Sequence, residues 1–409
     1  MMLASGLSLR SHLSRFVGRR GIFFWNRRKE TVQKKTVAII GDVEDPEPFC
    51  VAKTLAQGQE TVLEKERRQS KLLPRPTFTV KGLCSSASPA AAYLRLQGVQ
   101  LVDGDATNID ALHEVVNGAD VVLLHNGRKA HGMGVAKSDD DMMKILRHIE
   151  EIGTQRVLYC SHENVQRVSN GKYAVPSLER HSAVEQYLIR SELRHTLLYM
   201  PLAYESLFSL AEQDPSTGHI GMIFPAVEDV DMCSLEDIGR IVLGLVNSDE
   251  KFNQMRVLIS SAAYSGEDIV EECAELEKGR KIVWKGENKH LQAAVENRSM
   301  PTFLPESSEL LTYFKYLNAF TGRLRDPIQT EDISPSVRPL ELWLRSPSDA
   351  SMLLFTKVLG DTLPWPLKRV LAEIVKNERS PVQSHEAAHP PTNWDVIRKL
   401  AETRQVLSV

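Results

Sequence analysis

Four carboxylates crowd the stretch from Gly41 to Pro48: Asp42, Glu44, Asp45 and Glu47, with Pro46 and Pro48 set among them. A glycine that closes an apolar run and precedes a helical pattern is the outline of a turn that holds a dinucleotide pyrophosphate. Glycines let the backbone bend tightly and bring its N–H groups to the phosphates at a helix N-terminus. Here Gly41 alone supplies that freedom. The carboxylates oppose the two phosphate charges, and each proline removes an amide donor. A like pair at 4 Å costs about 1 kcal/mol in water and several times more in a partly desolvated cleft. Four carboxylates pointing inward would therefore offset most of the roughly 8 kcal/mol behind a micromolar ligand.

Three other groupings have reactive residue types. His385, Glu386 and His389 form H-E-x-x-H, which on a helix sets two imidazoles on one face for zinc with the glutamate as base. Pro390 follows at once and pushes His389 away from helical dihedrals, so the match reads as an accident and no metal is expected. HGMG (His131 to Gly134), flanked by Lys129 and Lys137, would make either an anion-binding turn or a mobile loop. Cys160, Ser161 and His162 suggest a nucleophile and a base, but neighbours on a strand end point in different directions. The five cysteines are scattered without a C-x-x-C pair, which fits a reducing compartment and buried thiols.

The elements that must position these residues read as alternating strands and helices. Val37 to Ile40, Phe78 to Leu83, Val99 to Val102, Val121 to Leu124, Arg156 to Tyr159 and His195 to Met200 have strand composition. Val51 to Leu55, Ala90 to Leu96, Asn108 to Val116, Asp139 to Ile152 and His181 to Ser191 have helical spacing. Such alternation implies parallel pairing through right-handed crossovers, hence a doubly wound α/β sheet of Rossmann type over residues 36–201. Ser234 is the expected N-cap of a helix over Leu235 to Val246, within a smaller α/β lobe at 202–345 that would complete a cleft. Residues 57–76 read as a polar loop. Residues 346–409, interrupted by Pro347, Pro364, Pro366, Pro381, Pro390 and Pro391, read as a helical, Pro-rich tail.

The formal charge of −3 over 409 residues conceals an asymmetry. Seven basic residues and no acidic ones lie between Met1 and Lys29. Setting them aside leaves 43 of the 50 basic side chains against 53 acidic ones, a formal charge of about −10, which argues against nucleic acid as the main partner. The segment 1–35 is rich in Arg and Ser, with Leu9, Leu13, Phe16 and Val17 on one helical face. That is the composition of a mitochondrial presequence, or else of a basic tail on a cytoplasmic and nuclear protein. No apolar run approaches the roughly 20 residues of a membrane span.

Five blocks taken in order resemble the NmrA-like family of atypical short-chain dehydrogenases. They are AAAYLRLQGVQLVDGD (Ala90 to Asp105), NGADVVLLHN (Asn117 to Asn126), RVLYCSHENV (Arg156 to Val165), SAVEQYLIRSELRHTLLYMPLAYESL (Ser182 to Leu207) and CSLEDIGRIVLGLV (Cys233 to Val246). The resemblance implies NADP(H) as cofactor and names the positions that would hold it. Gly41 matches the glycine-rich turn, and Ser85 follows Cys84 where members carry an Arg for the 2′-phosphate. Asp105 matches an Asp near the adenine and Asn126 an Asn after the fourth strand. His181 stands where close animal relatives have a Lys near the nicotinamide.

Hydride transfer in the wider superfamily uses a Tyr activated by a Lys four residues on. No Tyr here has one: Tyr173 is followed at that offset by Ser177, and Tyr187 by Ser191. The expected function is thus a non-catalytic regulator or scaffold of redox-sensor lineage, acting through protein partners with NADP(H) binding weak or lost. The alternatives are an NADP(H)-dependent oxidoreductase, and a structural or assembly subunit of a mitochondrial complex.

Overall fold

Strand β1 (Lys35–Asp42) alternates its side chains between two cores: Val37 and Ile39 enter one, Ala38 and Ile40 the other. That period of two puts apolar layers on both faces of the sheet, as parallel strands covered by helices require. The structure is a computed structural model that describes residues 35–43, 45–58, 78–84, 89–125, 139–213, 216–217, 219–224, 229–248, 251–276, 281–285, 304–305, 307–320, 325 and 327–345. The expected presequence, the 57–76 loop beyond Gly58, Glu44, Ser85, Asn126, HGMG and the tail with its H-E-x-x-H lie outside those residues.

From β1 the chain passes through α1 (Pro46–Gln57), β2 (Phe78–Cys84), α2 (Pro89–Leu96), β3 (Gln100–Asp103), α3 (Ile109–Val116) and β4 (Val121–His125). It continues through α4 (Asp139–Ile152), β5 (Arg156–Ser161), α5 (Val165–Val168), α6 (Pro176–Glu179), α7 (His181–Arg190) and β6 (His195–Tyr199). These strands join in the order β11-β6-β5-β4-β1-β2-β3, where β11 is Met255–Leu258, and every pairing is parallel. The strand order reverses between β1 and β4, which is where open sheets of this kind bind ligands beyond their carboxyl ends.

Helix α1 starts earlier than the sequence pattern suggests. Pro46 and Pro48 sit in its first turn, where an amide lacks an intrahelical acceptor and a proline costs nothing. The helix closes at Gly58, whose left-handed φ of 53° lets its N–H reach Leu55 O and Thr54 O. Asn108 caps α3 by accepting from the amides of Asp110 and Ala111.

The remaining elements are β7 (Leu202–Ala203), α8 (Ser206–Ser209), β8 (Ala211–Gln213), β9 (Ile220–Met222), β10 (Val230–Cys233), α9 (Leu235–Asn247), β12 (Ala262–Tyr264), α10 (Gly266–Leu276), β13 (Ile282–Trp284), α11 (Ser307–Phe320), α12 (Pro327–Ile333) and α13 (Leu340–Arg345). They form two three-stranded sheets, β12-β10-β7 and β13-β9-β8, over a core rich in aromatics, among them Tyr204, Phe224, Phe314, Tyr316 and Trp343. Ser234 caps α9 through the Asp237 amide, as its sequence pattern predicts. Helix α9 lies hard against α1. A Cβ on Gly239 would come within 2.5 Å of Thr54 Oγ1 and 2.8 Å of the Cys50 carbonyl, so only glycine permits that approach. All five cysteines are free thiols and four are buried, Cys273 being half-buried. No described helix is long and apolar enough to cross a membrane.

Candidate functional site

The crevice at the reversal is bounded by the start of α1 and the end of β4. Asp45 is the N-cap by backbone conformation, yet its side chain makes no capping bond. Pro46 and Pro48 have no amide hydrogen, and the Phe49 amide is spent on Asp45 O at 3.0 Å. Glu47 lies between the two prolines and turns inward, where its Oε2 pairs with Nε2 of His125, the last residue of β4. Both side chains are nearly enclosed, with 9% of His125 and 10% of Glu47 exposed. Burial pulls the His125 imidazolium down. The charge and hydrogen bond of Glu47, with Asp45 behind it, outweigh that and hold His125 above its ordinary value. Its Nδ1 is buried and has no partner among the described residues.

Gly41 belongs to the same arrangement. A Cβ there would sit 3.1 Å from His125 Cβ and 3.3 Å from Pro48 Cγ. The glycine therefore makes room for the chain's own side chains. Asp42 and Asp45 are half-buried beside it.

The two other resemblance positions among the described residues, Asp105 and His181, are engaged within the protein. Asp105 Oδ1 accepts from the amides of Thr107 at 2.8 Å and Asn108 at 3.2 Å, closing the turn that leads into α3. His181 is buried, with Nδ1 2.8 Å from the Tyr159 hydroxyl and its ring edge-on to His162 at 5.2 Å. Cys160 packs in the α1-side core, whereas Ser161 turns to Glu185 on α7, so the adjacent pair diverges as strand geometry requires. Glu185 also accepts from the Tyr199 hydroxyl at 2.8 Å, and burial followed by the Glu185 charge pushes that phenol far up. Burial pushes the Cys160 thiol up as well, with Glu47 adding to it. Neither the thiol nor the serine is poised for attack.

Three groups were not singled out by sequence reading. Arg325 donates through Nη1 to Tyr199 O at 2.6 Å and Ile259 O at 2.7 Å, and through Nη2 to Met200 O at 2.9 Å and to Glu163. It ties the segment before α12 to the ends of β6 and β11. Glu205, wholly buried, accepts the Leu235 amide on both oxygens at 3.1 Å, and burial lifts its pKa to about 8 against the pull of its backbone bonds. The Glu47–His125 pair is the third. Its signal was present: a doubly wound order brings the end of the fourth strand beside the first helix, and His125 directly precedes Asn126. Among the described residues no group of three or more His, Cys, Asp or Glu could hold a metal.

A model of the NmrA-like family matches residues 70–329, a span that begins beyond β1 and α1. Among solved structures, NmrA, a negative transcriptional regulator in complex with NADP, superposes with a TM-score of 0.60 at 16% identity. The alignment covers 81% of this chain and 99% of that one. The NADPH-dependent quinone oxidoreductase QOR2 of Escherichia coli, complexed with NADPH, gives 0.55 at 15% identity over 75% of this chain and 97% of its own. The Citrobacter sp. triphenylmethane reductase, complexed with NADP(H), gives 0.55 at 12% identity over the same shares. These identities carry the fold alone. With the family model spanning well over half of its length on a doubly wound parallel sheet, the chain belongs to the NmrA-like family.

Proposed function

We propose that this chain is a non-catalytic NmrA-like regulator or scaffold that works through protein partners, its NADP(H) site weakened or lost. The observation that carries the reading is the Glu47–His125 pair at the start of α1. A pyrophosphate is held at a helix N-terminus by free amides and the positive end of the helix dipole. Here two first-turn amides are absent, a third is bonded within the helix, and the chain's own carboxylate faces the crevice. A dinucleotide would have to part a buried pair and then meet Glu47 and Asp45 with few donors in return. Calorimetric titration of the full chain with NADPH, NADP and NADH at low salt tests this. The expected result is no micromolar binding, and a micromolar constant would overturn the reading.

The competing reading is an NADP(H)-dependent oxidoreductase, as QOR2 is described. Its support is the Tyr159–His181 hydrogen bond beside the ends of β5 and α7. Against it stands the enclosure of Tyr159, which has no exposed surface from which to reach a substrate. Turnover of a quinone by the wild-type chain, lost in His181→Ala, would favour the reductase. Mitochondrial import is the companion proposal for the basic segment 1–29. Removing that segment should leave the protein in the cytosol, and unchanged targeting would remove the assembly-subunit alternative.

A further inference from the structure

A small cavity lies beyond the end of β6 and beside β10, lined by Glu163, Pro201, Leu202, Asp231, Tyr313, Tyr316, Leu317 and Arg325. It has room for about one water-sized group. The lining carries two carboxylates against one guanidinium. Arg325 has no Nη hydrogen to spare, since three carbonyls and Glu163 take all four. Asp231 is buried and accepts from Ser260 Oγ at 2.8 Å through one oxygen. Tyr316 is 1% exposed, yet among the described residues its hydroxyl makes no hydrogen bond. Burial and the nearby Glu163 keep that phenol protonated, so its oxygen is free to accept. Tyr313 stacks on Tyr316 at 6.4 Å with an interplanar angle of 20°.

We propose that this cavity binds a primary ammonium group. An ammonium is about the size of a water molecule and brings a positive charge to an enclosure whose lining is formally −1. Its three N–H donors find acceptors in Tyr316 Oη and the Glu163 and Asp231 carboxylates. An anion would meet two carboxylates and a guanidinium that is already committed. A quaternary ammonium is too large and has no N–H to donate. The inference is independent of whether a dinucleotide binds. The source of the ammonium is either a free small amine or a lysine side chain of a protein partner.

The test is NMR titration of the full chain with methylammonium chloride at constant ionic strength, following the tyrosine ring signals, with tetramethylammonium as the size control. Saturable binding of methylammonium alone is expected. Tyr316→Phe, which removes a hydroxyl that makes no hydrogen bond among the described residues, should weaken it about tenfold and leave the fold intact. Asp231→Asn should weaken it too. Nα-acetyl-lysine methylamide binding more tightly than methylammonium would assign the site to a partner's lysine, and weaker binding would assign it to a free amine. No saturation, an equal response to tetramethylammonium, or an unchanged constant in Tyr316→Phe would overturn the proposal.

Discussion

The crevice between β1 and β4 and the cavity beside Tyr316 both lie beyond the ends of parallel strands, and the chain treats them in opposite ways. In the crevice, Glu47 pairs with His125 Nε2, and Gly41 makes room for His125 and Pro48. In the cavity, a phenol almost wholly enclosed has no hydrogen-bond partner among the described residues, beside carboxylates that outnumber the one guanidinium. A buried polar group normally finds a partner inside the protein, so one left open in an accessible space points to something that comes from outside. On the proposed reading the crevice has become structure, whereas the cavity has kept the character of a site.

The largest effect should come from removing the charge that holds the cavity together. Arg325→Ala leaves Glu163 uncompensated and three carbonyls without donors, and should cost about 3–5 kcal/mol in urea denaturation. Arg325→Lys should recover only part, because an ammonium cannot span three carbonyls and a carboxylate in one plane. A loss below 1 kcal/mol would mean that the clamp is incidental to the fold.

Next in size is the pH dependence set by Glu205. Its folded pKa of about 8 lies above the ordinary carboxylate value, so the native state holds a proton that the unfolded chain releases. Stability is then unaffected below about pH 4.5, falls as pH rises toward 8, and levels off above that. The slope approaches about 1.4 kcal/mol per pH unit in that window. Glu205→Gln should flatten it, as measured by denaturation at pH 5.5, 7 and 8.5. His125 contributes with the same sign, because a base with a raised pKa loses its stabilisation as pH rises through the folded value. The double variant Glu205→Gln with His125→Ala separates the two.

The architecture was legible in the sequence where periodicity was strong. Asp139 to Ile152 is the helix its apolar spacing predicts, and Ser234 is the cap its pattern predicts. What could not be read were partnerships made by the fold. Glu47 counted only as one of several acidic residues, because its direction depends on where α1 starts. Two prolines hid that start, since a proline in a first turn looks in sequence like the end of a loop. Arg325 and Glu205 carried no local signal, as their partners lie 66 or more and 30 positions away in the chain. The seventh strand, Met255–Leu258, is short and exposes its first two residues, so it gave no alternating pattern.

The crevice itself yields a more modest stability change. Glu47→Gln keeps a hydrogen bond to His125 but removes the charge, and should cost about 1–3 kcal/mol. It should also lower the His125 pKa, since the opposing effect of burial then dominates. NMR titration of the imidazole reads this directly, and an unchanged midpoint would mean that Asp45 carries the interaction.

The smallest expected effect is a gain. Glu47→Ala with Pro48→Gly removes the inward carboxylate, returns an amide to the first turn of α1, and clears the Cγ that now lies near Gly41. Adding Asp45→Gly and Ser85→Arg supplies a second flexible position and a guanidinium for the 2′-phosphate. Together these changes should tighten NADPH about tenfold relative to wild type, with a smaller gain for NADH, which lacks the 2′-phosphate. Equal gains for the two dinucleotides would show that relief of repulsion by Glu47 and Asp45 acts alone. No gain in a variant whose thermal unfolding matches the wild type would mean that the pair is not what keeps the pyrophosphate out, and the contrast between the filled crevice and the open cavity would lose its physical basis.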